Sequence, residues 1–154
     1  MAAGEQEILA FDTVQNAVDL AAYRWDVWGA AYLINGGCSD DGFDYFRGWL
    51  MAQGRRTWDE TLADPDSLAS LLEGAEVDDY EGEAMTAVAS SAYEELTGDA
   101  EAFWTAVQEL DQRPSASSRP GGGNGPAGDS FDFDDPAQMR ARFPRLAEMF
   151  LSDD

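Results

Sequence analysis

The chain has 154 residues, of which 44% are hydrophobic and 12% aromatic, so it can build the core of one domain and cannot be disordered throughout. Its 31 acidic residues against 9 basic ones give a net charge of −22, and every basic residue is an arginine. This charge repels nucleic-acid phosphates and anionic lipids, so the sequence predicts no direct nucleic-acid contact and no membrane binding. A protein partner or a small cationic or aromatic ligand remains open.

The absence of histidine excludes a histidine general base, a histidine metal site and a Ser-His-Asp triad. The single cysteine, Cys38, cannot form an internal disulfide and is compatible with a reducing compartment. The first residues lack the positive region and apolar run of a signal peptide, and no stretch of about 18 apolar residues occurs. We therefore expect a cytoplasmic protein.

Apolar residues recur at spacings of three and four along most of the chain, which predicts an all-α fold, a compact single domain of about six helices. The first predicted helix covers residues 5–34, with room for a kink, and ends at the Asn35-Gly36-Gly37 turn. Its core-facing stripe consists of Ile8, Phe11, Val14, Val18, Ala21, Trp25, Trp28 and Tyr32.

A second helix follows, and we expect it to pack antiparallel to the first around the NGGCSDD turn. Ser39 is the expected N-cap, and Asp40 and Asp41 suit the positive end of the helix dipole. Gly54 ends the helix. Its predicted buried residues are Phe43, Phe46 and Leu50, with Trp49 as a further candidate.

The next segments have the start and stop signals of short helices. Residues 57–60 match a capping box, and Asp64-Pro65 provides a cap followed by a proline at the first helical position. Residues 77–96 and 99–112 form two more predicted helices, separated by Gly98. The side chains expected to be buried here are Leu68, Leu71, Leu72, Met85, Val88, Ala89, Ala92, Leu96, Phe103, Trp104, Val107 and Leu110.

Composition divides the chain into three parts. Residues 5–112 form the helical domain, residues 113–128 form a glycine- and proline-rich flexible linker, and residues 129–154 form a C-terminal helical segment that docks on the body. Asp135-Pro136 begins the last helix, and Pro144 should kink or divide it. Its apolar stripe consists of Met139, Phe143, Leu146, Met149 and Phe150.

The densest cluster of unusual residues lies between Tyr23 and Arg55. It contains Trp25, Trp28, Ala30, Asn35, Gly36, Gly37, Cys38, Ser39, Asp40, Asp41, Phe43, Phe46, Arg47, Trp49 and Gly54. With ADPDSLA at 63–69, SAYEELTG at 91–98 and RFPRL at 142–146, these residues resemble the uncharacterised bacterial domain family DUF4240. The resemblance implies a fold and no activity. It also implies a further N-terminal helix, often with an FW pair, which is expected to be trimmed here or replaced by a partner's surface.

Asp40, Asp41 and Asp44 are candidate catalytic residues, because their spacing puts two carboxylates on one helix face. In one interpretation they satisfy the helix N-terminus, and Asp44 pairs with Arg47 or Arg24. In the other they work with Arg47 in acid/base chemistry or hold Mg²⁺ or Ca²⁺. The spacing does not match an EF-hand, and we assign no metal site and no cofactor.

The candidate binding residues around the same turn are Trp25, Trp28, Asn35, Cys38, Ser39 and Trp49. The tryptophans could line a pocket for a cationic or aromatic ligand, although large residues at helical spacing usually belong to the core. Cys38 beside a helix N-terminus could be a reactive thiol, but no histidine can serve as its base. Gly36-Gly37 could cradle an anion, which Asp40 and Asp41 would repel.

Two hypotheses for the function, from different classes of protein, are compatible with the sequence. The first is a binding or accessory protein that engages a protein partner through its acidic surface and the corner between the first two helices. The second is a small enzyme that uses Asp40, Asp41 or Asp44 with Arg47. The sequence leaves the enzyme question open.

Overall fold

The computed structural model describes residues 3–75, 82–111 and 125–152, and their regular structure is helical apart from one isolated bridge between Arg24 and Ala127. A single turn of 3-10 helix, Pro65–Ser67, precedes α5. The α-helices are α1 (Ala3–Ala21), α2 (Trp25–Asn35), α3 (Asp40–Ala52), α4 (Arg55–Ala63), α5 (Leu68–Leu72), α6 (Glu83–Thr86), α7 (Val88–Thr97), α8 (Ala100–Asp111), α9 (Pro136–Arg142) and α10 (Pro144–Phe150).

The all-α prediction is confirmed, but the single first helix is wrong, because α1 and α2 are separate. Between them Arg24 has an extended backbone, with φ −135° and ψ 147°. The amide of Trp25 donates to the carbonyl of Ala127 at 3.0 Å, and the amide of Ala127 donates to the carbonyl of Tyr23 at 2.9 Å. These backbone groups are therefore satisfied by a distant segment, which the helical periodicity of α1 and α2 cannot show.

The predicted stripe on the first helix is also wrong in part. Phe11 and Val14 are 47% and 63% exposed, and Ala21 is exposed as well. Leu9 is the buried residue of α1 in this region, since it belongs to a cluster with α7 and α8. The spacing of three and four therefore marked a real helix but assigned its inward face to the wrong residues.

The main core lies between α2, α3 and the C-terminal helices. Phe43, Phe46 and Leu50, predicted to be buried on α3, are fully buried there, as are Met139 and Leu146, whereas the further candidate Trp49 is only partly buried. Gly29 of α2 lets the rings of Phe131 and Phe143 approach, since a Cβ at this position would lie 2.6 Å from Phe131 Cζ. The buried residues of this core are Ala22, Val27, Ala30, Ala31, Leu33, Ile34, Phe43, Phe46, Leu50, Trp58, Leu68, Ala69, Leu72, Met139, Phe143, Leu146 and Ala147.

A second, smaller cluster joins α1, α7 and α8. It consists of Leu9, Ala89, Tyr93, Phe103 and Ala106. The hydroxyl of Tyr93 donates to Glu5 Oε2 at 3.0 Å, which links α7 to α1. Several residues predicted to be buried are instead exposed, because their helices pack through neighbouring positions: Leu71, Val88, Leu96, Trp104 and Met149.

Most predicted helix ends are confirmed. Gly36 takes the left-handed conformation (φ 67°) after α2, and Gly98 (φ 75°) does so after α7. The Ser39 hydroxyl accepts from Gly42 N at 3.1 Å, and Asp135 accepts from two amides at the start of α9. The predicted capping box at 57–60 is wrong, because α4 already begins at Arg55 after Gly54.

Part of the predicted helix at 77–96 lies outside the described residues, which resume at Gly82. The remainder is divided into α6 and α7 at Ala87, whose backbone leaves the helical region at φ −101° and ψ 0°. Gly48 of α3 packs against the backbone of Gly82, since a Cβ on Gly48 would lie 2.6 Å from the carbonyl oxygen of Gly82.

The C-terminal helices are tied to the rest of the chain by a buried carboxylate. Asp66 accepts from Arg145 N at 3.1 Å and from Leu146 N at 2.9 Å, so it caps α10 from a turn about 80 residues earlier. Pro144 separates α9 from α10, as predicted. Residues 113–124 of the predicted linker lie outside the described residues. No helix in the described ranges is long and apolar enough to cross a membrane.

Candidate functional site

Arg47 is the centre of the predicted site. Its side chain is only 6% exposed, and its Nε and Nη2 donate to the two carboxylate oxygens of Asp19 at 2.9 and 3.1 Å. Nη2 also donates to Asp44, three residues earlier on α3. One guanidinium therefore neutralises carboxylates from two helices.

Two aromatic rings enclose the same guanidinium. Its carbon lies 4.8 Å from the ring centroid of Tyr23 and 4.5 Å from that of Phe43. The rings favour a cation and replace part of the lost hydration. Nη1 is buried and has no hydrogen-bond partner in the described part of the chain, so its burial opposes folding.

Sequence reasoning missed Asp19 and Tyr23 as parts of this site. Asp19 lies in the last turn of α1, where a negative charge opposes the helix dipole and therefore needs a nearby cation. That unfavourable position was the feature of the sequence that could have indicated a partner cation for Asp19. The break after α1 places Tyr23 over Arg47, and the sequence alone did not predict this break.

Asp40 and Asp41 lie in the first turn of α3, and both are exposed. With Asp19, Asp44 and Arg47 they line a shallow cavity of about 260 Å³, which Leu20 and Tyr23 complete. We call Asp19, Asp40, Asp41 and Asp44 the acidic corner. The helix cap itself is provided by Ser39, so Asp40 and Asp41 contribute to the start of α3 through charge alone.

The pKa of Asp44 is raised above its ordinary value, chiefly because burial disfavours the charged carboxylate. The negative charges of Asp19, Asp40 and Asp41 raise this pKa further, while Arg47 lowers it. Asp44 is therefore the carboxyl of the acidic corner that holds a proton more readily than a free aspartate does.

The other candidate partner of Asp44, Arg24, is engaged elsewhere. It forms an ion pair with Asp26 and donates from Nη1 to the carbonyl of Leu62 at 2.9 Å. Across residues 3–75, 82–111 and 125–152, no group of three or more Cys, Asp or Glu side chains is arranged to hold a metal ion. The acidic corner therefore provides charge without a coordination geometry.

The two tryptophans of α2 lie in an aromatic stack beside the acidic corner. Trp28 stacks on Trp25 at 5.5 Å between centroids and on Phe43 at 5.0 Å. Its indole Nε1 donates to the carbonyl of Cys38 at 2.9 Å. Phe133 packs against the edges of both indoles. Trp28 thus joins the helices on either side of the turn and has a ring on each face.

Of the remaining candidate binding residues, Cys38 touches this stack through its carbonyl, whereas Trp49 packs elsewhere on α3. Trp49 packs on Phe46 at 5.5 Å between centroids, and Asn35 is exposed at the end of α2. Cys38 is partly buried, with Sγ 3.6 Å from the carbonyl of Ser39. The structure therefore brings together Asp40, Asp41, Asp44 and Arg47 but not all six predicted binding residues.

A larger cavity, of about 600 Å³, lies away from the acidic corner between α1 and α7. It is lined mainly by small and apolar residues: Gly4, Glu7, Ile8, Phe11, Val88, Ala89, Ala92, Glu95 and Leu96. We call this cavity the α1/α7 groove. Sequence reasoning assigned its apolar residues to the core and so missed it.

Fold and site together define an all-α domain with a neutralised buried arginine, an acidic corner and an apolar groove. The profile of the family described as "Protein of unknown function (DUF4240)" matches residues 2–95, which is more than half of the chain. The chain belongs to this family. The match includes Asp19, Asp40, Asp41, Asp44 and Arg47. No curated protein and no solved structure shows significant similarity to the chain.

Proposed function

We propose that the chain is a protein-interaction domain that offers its acidic corner to a positively charged segment of a partner. The observation that carries this proposal is that the four carboxylates of the acidic corner differ in their partners. Asp19 and Asp44 are bound to the buried Arg47, whereas Asp40 and Asp41 line the same cavity at the start of α3 and, like Asp44, are exposed. Asp40 and Asp41 give the corner an uncompensated negative charge.

The size of the cavity supports a side chain as the bound group. At about 260 Å³ it is smaller than the 300–1,000 Å³ that is usual for small-molecule sites. A lysine or arginine side chain fits this volume and the surrounding charge. Long-range electrostatic attraction would also speed the encounter between the partner's positively charged segment and this chain, whose net charge is −22.

A second candidate is a small enzyme in which Asp44 donates or accepts a proton. The observation that favours it is the raised pKa of Asp44 in a cavity beside a fixed cation. It would require Asp44 to leave Arg47 during the reaction. The interaction role needs no such rearrangement and is therefore preferred.

The test is a titration with an arginine-rich peptide that has no apolar residues, in which binding is measured by calorimetry. Asp40→Asn with Asp41→Asn should weaken binding about fivefold, since each exposed ion pair contributes about 0.5 kcal/mol. Glu109→Gln with Glu148→Gln removes the same charge from exposed positions on α8 and α10 and should leave affinity nearly unchanged. Equal losses in the two double variants would show general attraction and contradict the proposal.

The enzyme alternative has a different signature. Asp41→Asn should weaken peptide binding without abolishing any turnover found in a metabolite screen. If a turnover exists and Asp44→Asn removes it at an unchanged melting temperature, the second candidate replaces the first.

A further inference from the structure

The α1/α7 groove exposes large apolar side chains that a monomer usually covers. Phe11 and Leu96 are 47% and 52% exposed, and Val88 lines the same cavity. Val14, three residues beyond Phe11 on α1, is also exposed, at 63%. Contiguous apolar surface of this kind on a highly charged protein marks a place where another molecule binds.

The lining residues form two rows with helical spacing. On α1 the row is Gly4, Ile8 and Phe11, and on α7 it is Val88, Ala92 and Leu96. Two helices pack closely where Gly4 meets Leu96, since a Cβ on Gly4 would lie 3.2 Å from Leu96 Cδ2. A groove between two such rows accepts the ridge of a third helix.

The length of the groove sets the length of its occupant. Val88 and Leu96 are eight residues apart, so the α7 row extends about 12 Å along the helix. An occupying helix of about three turns would cover it with apolar anchors at positions i, i+4 and i+7.

Charged residues at the rim of the α1/α7 groove narrow the choice of occupant further. The charged residues that line the groove are Glu7 and Glu95, one from each helix, and both are exposed. An occupant with lysine or arginine on either side of its apolar ridge would complement both walls. Such an occupant could bury Phe11 without placing acidic side chains of its own next to Glu7 and Glu95.

The two internal segments outside the described residues do not match such an occupant in sequence. Residues 76–81, EVDDYE, are mostly acidic, and residues 112–124 contain no aromatic side chain and no Leu, Ile, Val or Met. A second copy would bring another net charge of −22 and its own Glu7 and Glu95 to the interface. Both sources lack the combination of apolar ridge and positive flanks.

We propose that the α1/α7 groove is a docking site for an amphipathic, positively flanked helix of a partner protein. This site is separate from the acidic corner, since Phe11 and Asp19 are eight residues, or about 12 Å, apart along α1. It therefore stands independently of the function proposed for that corner.

The probe for this site is a synthetic peptide of about 15 residues made of leucine and lysine, with leucines at positions i, i+4 and i+7. The first control peptide keeps the leucines and replaces each lysine by glutamate. The second keeps the composition and places its leucines five residues apart, so that they lie on different faces and form no helical ridge. Affinity is measured by calorimetry, and amide shifts in NMR spectra locate the bound peptide.

Phe11→Ser with Leu96→Ser should weaken binding of the helical peptide at least about tenfold, because these are the most exposed large apolar side chains of the groove. Leu71→Ser with Met149→Ser is the matched control, since both side chains are 40% exposed and neither lines the groove. Circular dichroism checks that both double variants fold. A second variant, Glu7→Gln with Glu95→Gln, keeps the apolar residues and should weaken binding about fivefold with a smaller salt dependence, since each exposed ion pair contributes about 0.5 kcal/mol.

Shifts confined to α1 and α7, and no binding of either control peptide, would support the proposal. Equal losses in the Phe11/Leu96 and Leu71/Met149 variants would overturn it. Shifts centred on Asp40 and Asp41 would also overturn it and would assign the peptide to the acidic corner instead. If light scattering gives a dimer that Phe11→Ser with Leu96→Ser dissociates, the occupant is a second copy and the proposal is wrong.

Discussion

At the scale of single residues, Arg47 is the side chain on which the acidic corner depends. It is buried between two rings and holds carboxylates from α1 and α3. A buried cation of this kind contributes less to net stability than its many contacts suggest, because its desolvation costs nearly as much as the contacts return. Removal of Arg47 is destabilising for a different reason, since Asp19 and Asp44 would lose the cation that they share.

Arg47→Met should lower the free energy of unfolding by about 1.5 kcal/mol, because Asp19 loses its partner while only 30% exposed, whereas Asp44, at 54% exposed, regains water. The measurement is urea unfolding followed by circular dichroism. Arg56→Met is the matched control: Arg56 pairs with Glu60 but is 90% exposed, so its loss should cost no more than about 0.5 kcal/mol. Losses of similar size in the two variants would show that Arg47 has no special role.

The titration of Asp44 gives a second prediction at this scale. Because its folded-state pKa is raised, folded protein binds its proton at a pH where unfolded protein has released it. The stabilisation from Asp44 is therefore complete below its ordinary pKa and is lost as the pH rises through the raised value. NMR titration of the Asp44 carboxyl should show this raised pKa, and Arg47→Met should raise it further. A pKa below the ordinary value in either protein would contradict the assignment.

At the scale of helices, the sequence predicted most element types and many ends, and it assigned the buried face correctly for α3 but only in part for α1, α7 and α8. Ser39, Asp64-Pro65, Gly98 and Asp135 act locally, so their signals were readable. The break after α1 depends on Ala127, more than 100 residues away, and no local pattern reports it. The same limit applied to the acidic corner: Asp44 and Arg47 are neighbours on α3, whereas Asp19 arrives from another helix.

The contact between α3 and α6 yields a prediction about packing. Gly48→Ala should lower stability by about 2 kcal/mol, because the added Cβ would lie 2.6 Å from the carbonyl oxygen of Gly82 and backbone must move. Gly42→Ala, on the same helix, is the control. Its Cβ would lie 3.3 Å from the Ser39 hydroxyl, and helix propensity favours alanine by up to about 1 kcal/mol. Thermal unfolding should therefore separate the two variants clearly; equal melting temperatures would mean that α6 moves away easily.

At the scale of the whole molecule, charge dominates. A net charge of −22 repels itself in the compact state, and added salt screens that repulsion. We expect the melting temperature to rise steadily as sodium chloride increases to about 1 M. Magnesium chloride at equal ionic strength should have the same effect if screening alone operates. A larger effect of magnesium would indicate a bound cation, and a fall in melting temperature would contradict the explanation.

The way Asp66 starts α10 has a consequence for the order in which the chain becomes structured. A seven-residue helix is too short to persist by itself in water, and here its first amides depend on a carboxylate from a distant turn. A synthetic fragment covering residues 136–152 should therefore behave as random coil. Helix formation in that segment depends on Asp66. An isotope label placed there would therefore report whether the turn that contains Asp66 has already reached its native position.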